Sequence, residues 1–388
     1  MSRMIHYKKI KKFVFEYKWV FFVVFISVLS SLRSLFLPLF ADEITYNKLG
    51  EHLLEGKYFL IDYPSTVTPI IPLLFAFFKI KSFPALGFVI HKIFNVTLVL
   101  YTLKYIYLFL RKQNINTEIA LTITALTIVN PIAVNNFSSL YPEAVLFFCF
   151  WGFIYYSNLE FSSKNLFKML LFFMVLILTR YVYAVLGILV LITFFRYLKD
   201  NRKKYFNKIL KYSIIVLIPI VLWVKYVYNI EQSNLSEISY FDRFKVENPL
   251  LYNIKCGLGL TKHHEVTKIN GLPAFVSLFV PITGLRSYVM SLILISAFVL
   301  GYIFKSKTYG IQMLFAAIVL VMLGFIVAGT GFSRYWLVLL PGFFLGFYLL
   351  WHKINLKDSW YIYGAQIISV LYIINEIRLD FFVINNNL

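Results

Sequence analysis

Two adjacent carboxylates, Asp42 and Glu43, follow directly on a hydrophobic run ending Leu37-Pro38-Leu39-Phe40. A carboxylate at a membrane edge can act as a general base when a substrate proton lies within hydrogen-bond reach. It can also cap a helix, with the next carboxylate favoured in the first turn by the helix dipole. Both uses can hold at once. Further along stand other residues able to do chemistry at a polar turn. They are Glu143 after Asn135-Asn136-Phe137-Ser138-Ser139-Leu140-Tyr141-Pro142, Arg180, the pair His263-His264 with Lys262, Glu265 and Lys268 nearby, and Arg334-Tyr335. Each has a plainer reading as well. Glu143 can be an ordinary interfacial carboxylate, and Arg180 and Arg334 can be snorkelling anchors beside interfacial aromatics. Adjacent histidines on a helix point roughly 100° apart and cannot grip one metal as an i, i+4 pair does. In a loop they could, with Glu143 or Glu43 as third ligand, so a divalent metal is one candidate cofactor.

The elements that must position these residues are membrane helices. Of the 388 residues 60% are hydrophobic and 14% charged, the mean hydropathy is +0.74, and apolar runs of about 20 residues recur from end to end. The expected fold is therefore all-α and polytopic, a single membrane domain over 1–388. The formal charge of +20 is split into short basic clusters between apolar runs. That is the positive-inside pattern and not a nucleic-acid stripe. Two cysteines, Cys149 and Cys256, make no disulfide framework and no metal motif.

The lysines before the first run place the N-terminus in the cytoplasm, and the run reads as a retained anchor. The spacing predicts spans at 17–36, 86–110, 119–134, 144–157, 166–178, 182–195, 209–227, 287–304, 311–328, 336–350 and 360–377, about eleven in all. Residues 38–85 then form a first external loop. It contains a short amphipathic helix over 43–56, with Tyr46, Leu49 and Leu53 on one face and Gly56 as its stop. A proline-led segment follows at 67–80, too short to span. The basic run Arg196, Lys199, Arg202, Lys203, Lys204, Lys208 and Lys211 reads as a solvated cytoplasmic loop. Residues 228–285 form the large external loop, dipping back to the membrane over 272–283. On this layout Asp42, Glu143, Arg180, His263-His264 and Arg334 all lie on one face. Abundant Lys, Asn, Ile, Phe and Tyr point to an AT-rich bacterial genome, hence a multi-pass protein of a bacterial plasma membrane in contact with its lipids.

FADEITYNKLGEHLLEGKYF resembles the first external loop of the GT-C superfamily of polytopic glycosyltransferases, which includes protein O-mannosyltransferases and lipid A aminoarabinose transferases. Asp42, Glu43, Tyr46 and Gly56 fit its pattern. The 68–112 segment is similar to the proline-led juxtamembrane helix and second span. LTRYVYAVLGILVLITFF resembles a later turn between spans, and SRYWLVLLPGFFLGF the late external Arg-Tyr before a proline-containing span. The resemblance implies a hexosyl- or pentosyltransferase that moves a sugar from a polyprenyl-phosphate-linked donor to a lipid, glycan or protein acceptor on the extracytoplasmic face. It implies Asp42 as base, with Glu43 in support, and Arg180, Arg334 and Tyr335 at the donor phosphate. Glu143, His263 and His264 would support the acceptor or a metal, which some members of the superfamily bind and others do not need.

Two other functions fit a chain of this kind. A polysaccharide polymerase or ligase would rely on arginines of the large external loop, such as Arg243. A lipid-linked sugar flippase or transporter would use ionisable groups near the bilayer midplane; few are available, since His91 and Lys92 lie in the second span but near its outer part.

Overall fold

The computed structural model describes residues 15–56, 67–233, 248–262, 270–281, 284–305, 308–329 and 331–387. Among them every regular element is helical, as the all-α expectation requires. The elements are α1 (Lys18–Ser31) with a 3-10 turn Leu32–Phe36, α2 (Asp42–Leu54), α3 (Ile70–Phe78), α4 (Pro84–Lys112), α5 (Thr117–Val129), α6 (Pro131–Phe137), α7 (Glu143–Ser157) and α8 (Ser163–Thr179). Then come a 3-10 turn Tyr181–Leu186, α9 (Gly187–Ser233), α10 (Pro249–Gly257), a 3-10 helix Leu272–Leu278, α11 (Leu285–Lys305), α12 (Tyr309–Val327), α13 (Ser333–Trp336), α14 (Leu340–Lys353) and α15 (Asp358–Asn387).

This is a multi-pass membrane fold, and every expected apolar run falls on helix. The span count differs from eleven. Among the described residues seven stretches are long and apolar enough to cross a bilayer, or eight if the bent pair α5–α6 counts as one. The 119–134 run is broken by 66° at Asn130, whose side chain accepts the N–H groups of Ile132 and Ala133 and donates to the Leu278 carbonyl. Pro131 begins the second helix, where its missing N–H costs nothing. Helix α7 has 15 residues, about 22 Å at 1.5 Å per residue, short of a hydrocarbon core of about 30 Å. α15 is long but carries Glu376, Arg378 and Asp380.

The basic run at 196–211 has helical backbone within α9, where the sequence predicts an open loop. The Trp223 indole nevertheless donates to the Tyr181 hydroxyl at 2.8 Å. A straight helix would put those residues about 60 Å apart. The chain therefore doubles back between its two apolar limbs, Tyr181–Lys199 and Tyr205–Asn229, and the basic run still marks a reversal.

The contacts define two ends of the bundle. At one, Lys112 bonds the Asn158 carbonyl, Arg196 bonds the Ser157 and Leu159 carbonyls, and Thr308 bonds Gln113. At the other, Arg33 pairs with Glu376 at 2.6 Å and Asp380 at 2.9 Å, pinning the last helix to the end of the first. Between them α11 and α14 cross where Gly301 meets Gly346 so closely that no Cβ fits on Gly301. Helix α3, nine residues long, cannot span, and packs under α2, where Gly50 meets Phe75 and Pro72.

Candidate functional site

Asp42 and Glu143 are each the first residue of a helix, α2 and α7. There the helix dipole favours a negative charge. Arg180 closes the C-terminus of α8, where the dipole favours a cation, and Arg334 lies in the one-turn helix α13. Thr68 donates to the Thr179 carbonyl at 2.6 Å, fixing the backbone just before Arg180 to the segment that leads into α3.

These four side chains meet at the end of the bundle that also holds the Arg33 cluster. Arg334 Nη2 bonds Asp42 Oδ2 at 2.5 Å, and its Nε lies 3.7 Å from Glu143 Oε1. Arg180 Nη2 bonds the same Glu143 oxygen at 3.1 Å. The Arg180 guanidinium stacks on the Tyr335 ring at 3.7 Å. Arg334 lies 4.4 Å from the Tyr141 ring and 5.3 Å from that of Tyr335. Such cation–π contacts keep two guanidiniums planar and desolvated side by side. With two positive and two negative groups the cluster is formally neutral.

The two carboxylates differ in access. Glu143 is fully buried, and its Oε2 has no hydrogen-bond partner. The Asp42 side chain is 47% exposed. Glu43 is the sequence-predicted site residue that the geometry reassigns. It is buried, and both oxygens are taken by backbone amides, Oε2 by Phe40 at 3.0 Å and Oε1 by Leu140 at 2.7 Å. It is therefore available neither as a catalytic group nor as a metal ligand.

His263, His264, Glu265 and Lys268, with Arg243 of the alternative reading, lie outside the described residues. Lys262 is exposed. Among the described residues no three His, Cys, Asp or Glu side chains come together as a metal site. His91 is sandwiched against Phe75 and Phe78. Lys92 bonds the carbonyls of Ser34 and Leu37. Both pack the site end rather than stand free at mid-depth.

Two phenols that sequence reasoning did not assign to the site complete its walls. Tyr141 lies beneath Arg334 and donates to the Phe40 carbonyl at 3.2 Å. Burial pushes its phenol up to about 12 although Arg334 pulls the other way. Burial also raises Tyr46, against the pull of Arg180. Both stay neutral donors. Position next to Pro142-Glu143 was the only sequence signal for Tyr141. Neither a protein-family model nor a curated protein matches the chain.

Proposed function

We propose that the chain is a membrane glycosyltransferase of GT-C type. It transfers a sugar from a polyprenyl-phosphate-linked donor to an acceptor hydroxyl at the extracytoplasmic face. The observation that carries the reading is the convergence of Asp42, Glu143, Arg180 and Arg334 from four distant segments on one end of the bundle. Arg334 lies 292 residues from its partner Asp42, so only the tertiary fold brings the two together.

In this reading Arg180 and Arg334 hold the donor phosphate. Its incoming charge competes with Asp42 for Arg334, so binding of the donor frees the Asp42 carboxylate. Asp42 then takes the proton of the acceptor hydroxyl as its oxygen attacks the anomeric carbon. The bond from that carbon to the phosphate oxygen breaks, and the two guanidiniums stabilise the departing anion. Glu143 neutralises the guanidiniums in the resting state. The neutral phenols of Tyr46 and Tyr141 serve as hydrogen-bond donors to sugar or phosphate oxygens. The basic residues Lys112 and Arg196 at the opposite end support an extracytoplasmic site by the positive-inside rule.

The test is transfer by purified protein in detergent from a panel of polyprenyl-phosphate sugars, read as released carrier lipid. Transfer without a membrane to cross separates an enzyme from a flippase. Asp42→Asn is expected to lower turnover roughly 100- to 10,000-fold, the worth of a positioned base, while the protein stays folded. Normal turnover in that variant, or no transfer from any donor, ends the proposal.

A further inference from the structure

Ala41, immediately before Asp42, has φ 49° and ψ −121°. The two other non-glycine residues with positive φ among those described are asparagines, Asn114 and Asn355, and positive φ is uncommon for an alanine. A strained alanine persists only where its surroundings over-determine it. The turn is closed by the Glu43 amide donating to the Phe40 carbonyl at 3.1 Å, and the Glu43 side chain adds a second constraint. One carboxylate oxygen accepts the amide of Phe40 on the near side of the strained residue, and the other accepts the amide of Leu140 on the distant turn. Tyr141 adds a bond to the Phe40 carbonyl. Leu140 lies three residues before Glu143, so the same carboxylate ties the start of α2 to the start of α7.

We infer that Glu43 is the positioning residue of the site: it clamps the strained corner at Ala41 and thereby aims Asp42 at the acceptor proton and at Arg334. It touches no substrate, since it is buried with both oxygens occupied. The inference rests on the glycosyl-transfer reading.

Glu43→Gln keeps the shape, but its one carbonyl oxygen can accept only one of the two amides. The corner then relaxes and Asp42 shifts. The expected result is a kcat lower by roughly 10- to 100-fold, the effect of a misplacement on the order of 1 Å, with the donor KM within about threefold. Hydrogen exchange at the amides of Phe40 and Leu140 is expected to accelerate. Glycine adopts the Ala41 conformation without strain, so Ala41→Gly in the Glu43→Gln background is expected to return about tenfold or more of the lost kcat. A residue with a merely structural role would not be rescued in this way. Wild-type kcat in Glu43→Gln, or a double variant no better than the single one, overturns the inference while leaving the function standing if Asp42→Asn is inactive. Unchanged exchange in Glu43→Gln overturns the clamp whatever the activity. Absence of transfer by the wild-type protein overturns the functional reading and the positioning role together.

Discussion

Glu143 is the side chain on which the electrostatics of the site turn, and Glu143→Gln isolates its charge. The substitution keeps length, shape and an acceptor oxygen toward Arg180, so packing changes little. What it removes is the negative charge 3.1 Å from Arg180 and 3.7 Å from Arg334. The wild-type cluster sums to zero, and the variant leaves one uncompensated positive charge. Glu143 is 1% exposed at its side chain and the two arginines 17%, so water can screen little of it. Breaking a buried pair by removing one partner costs about 3–5 kcal/mol. At roughly 2 °C per kcal/mol for a large domain, thermal unfolding is expected to fall by about 6–10 °C. The assay is intrinsic fluorescence during heating of the detergent-purified protein. Asp42→Asn is the matched control. Its pair with Arg334 is half open to water and worth at most about 1 kcal/mol, so its transition is expected within about 2 °C of wild type. Inorganic pyrophosphate, which the extra positive charge of Glu143→Gln should attract, is expected to raise the transition of that variant more than that of the wild type. Equal shifts for the two substitutions, or a Glu143→Gln protein as stable as wild type, would refute the assignment of Glu143 as the buried neutraliser.

Replacing Arg33 by Met leaves Glu376, 2% exposed at its side chain, without its cation. A loss of about 3–5 kcal/mol is expected, read as a lower thermal transition and easier proteolysis of the last helix. Gly301→Ala drives a methyl into the Gly346 backbone, which cannot move as a flexible side chain would. Destabilisation of at least about 1–3 kcal/mol is expected, checked by folded yield in detergent. Tyr141 titrates near 12 when folded against an ordinary 10.0. The unfolded chain therefore loses that proton first, so its contribution to stability is complete below pH 10 and is lost as pH rises toward 12. Tyr141→Phe is expected to flatten stability over that window, measured as thermal transition against pH.

The amphipathic helix after the first span, the failure of 67–80 to span, and the reversal at the basic run were all legible in the sequence. Each rests on local periodicity, on length or on charge placement, and all of these are properties of neighbouring residues. Asp42, Glu143, Arg180 and Arg334 could be named for the same reason. Charged residues at the ends of apolar runs stand out, and an alternating topology puts them on one face. The resemblance separated Asp42 as base from Glu43 in support, but the sequence did not reveal which of the two carboxylates is buried. Asp42 and Glu43 are adjacent and chemically alike. One is half open and paired with an arginine 292 residues away, while the other is sealed against an amide 97 residues away. Burial and long-range partners depend on how α2, α7 and α13 pack, and that information is absent from any window of the chain. The break at Asn130 is of the same kind, since its side chain answers to a carbonyl 148 residues distant. The sequence by itself determined a helical membrane protein with a charged cluster at one end. Tertiary packing alone decided which carboxylate stays open to solvent and which is sealed.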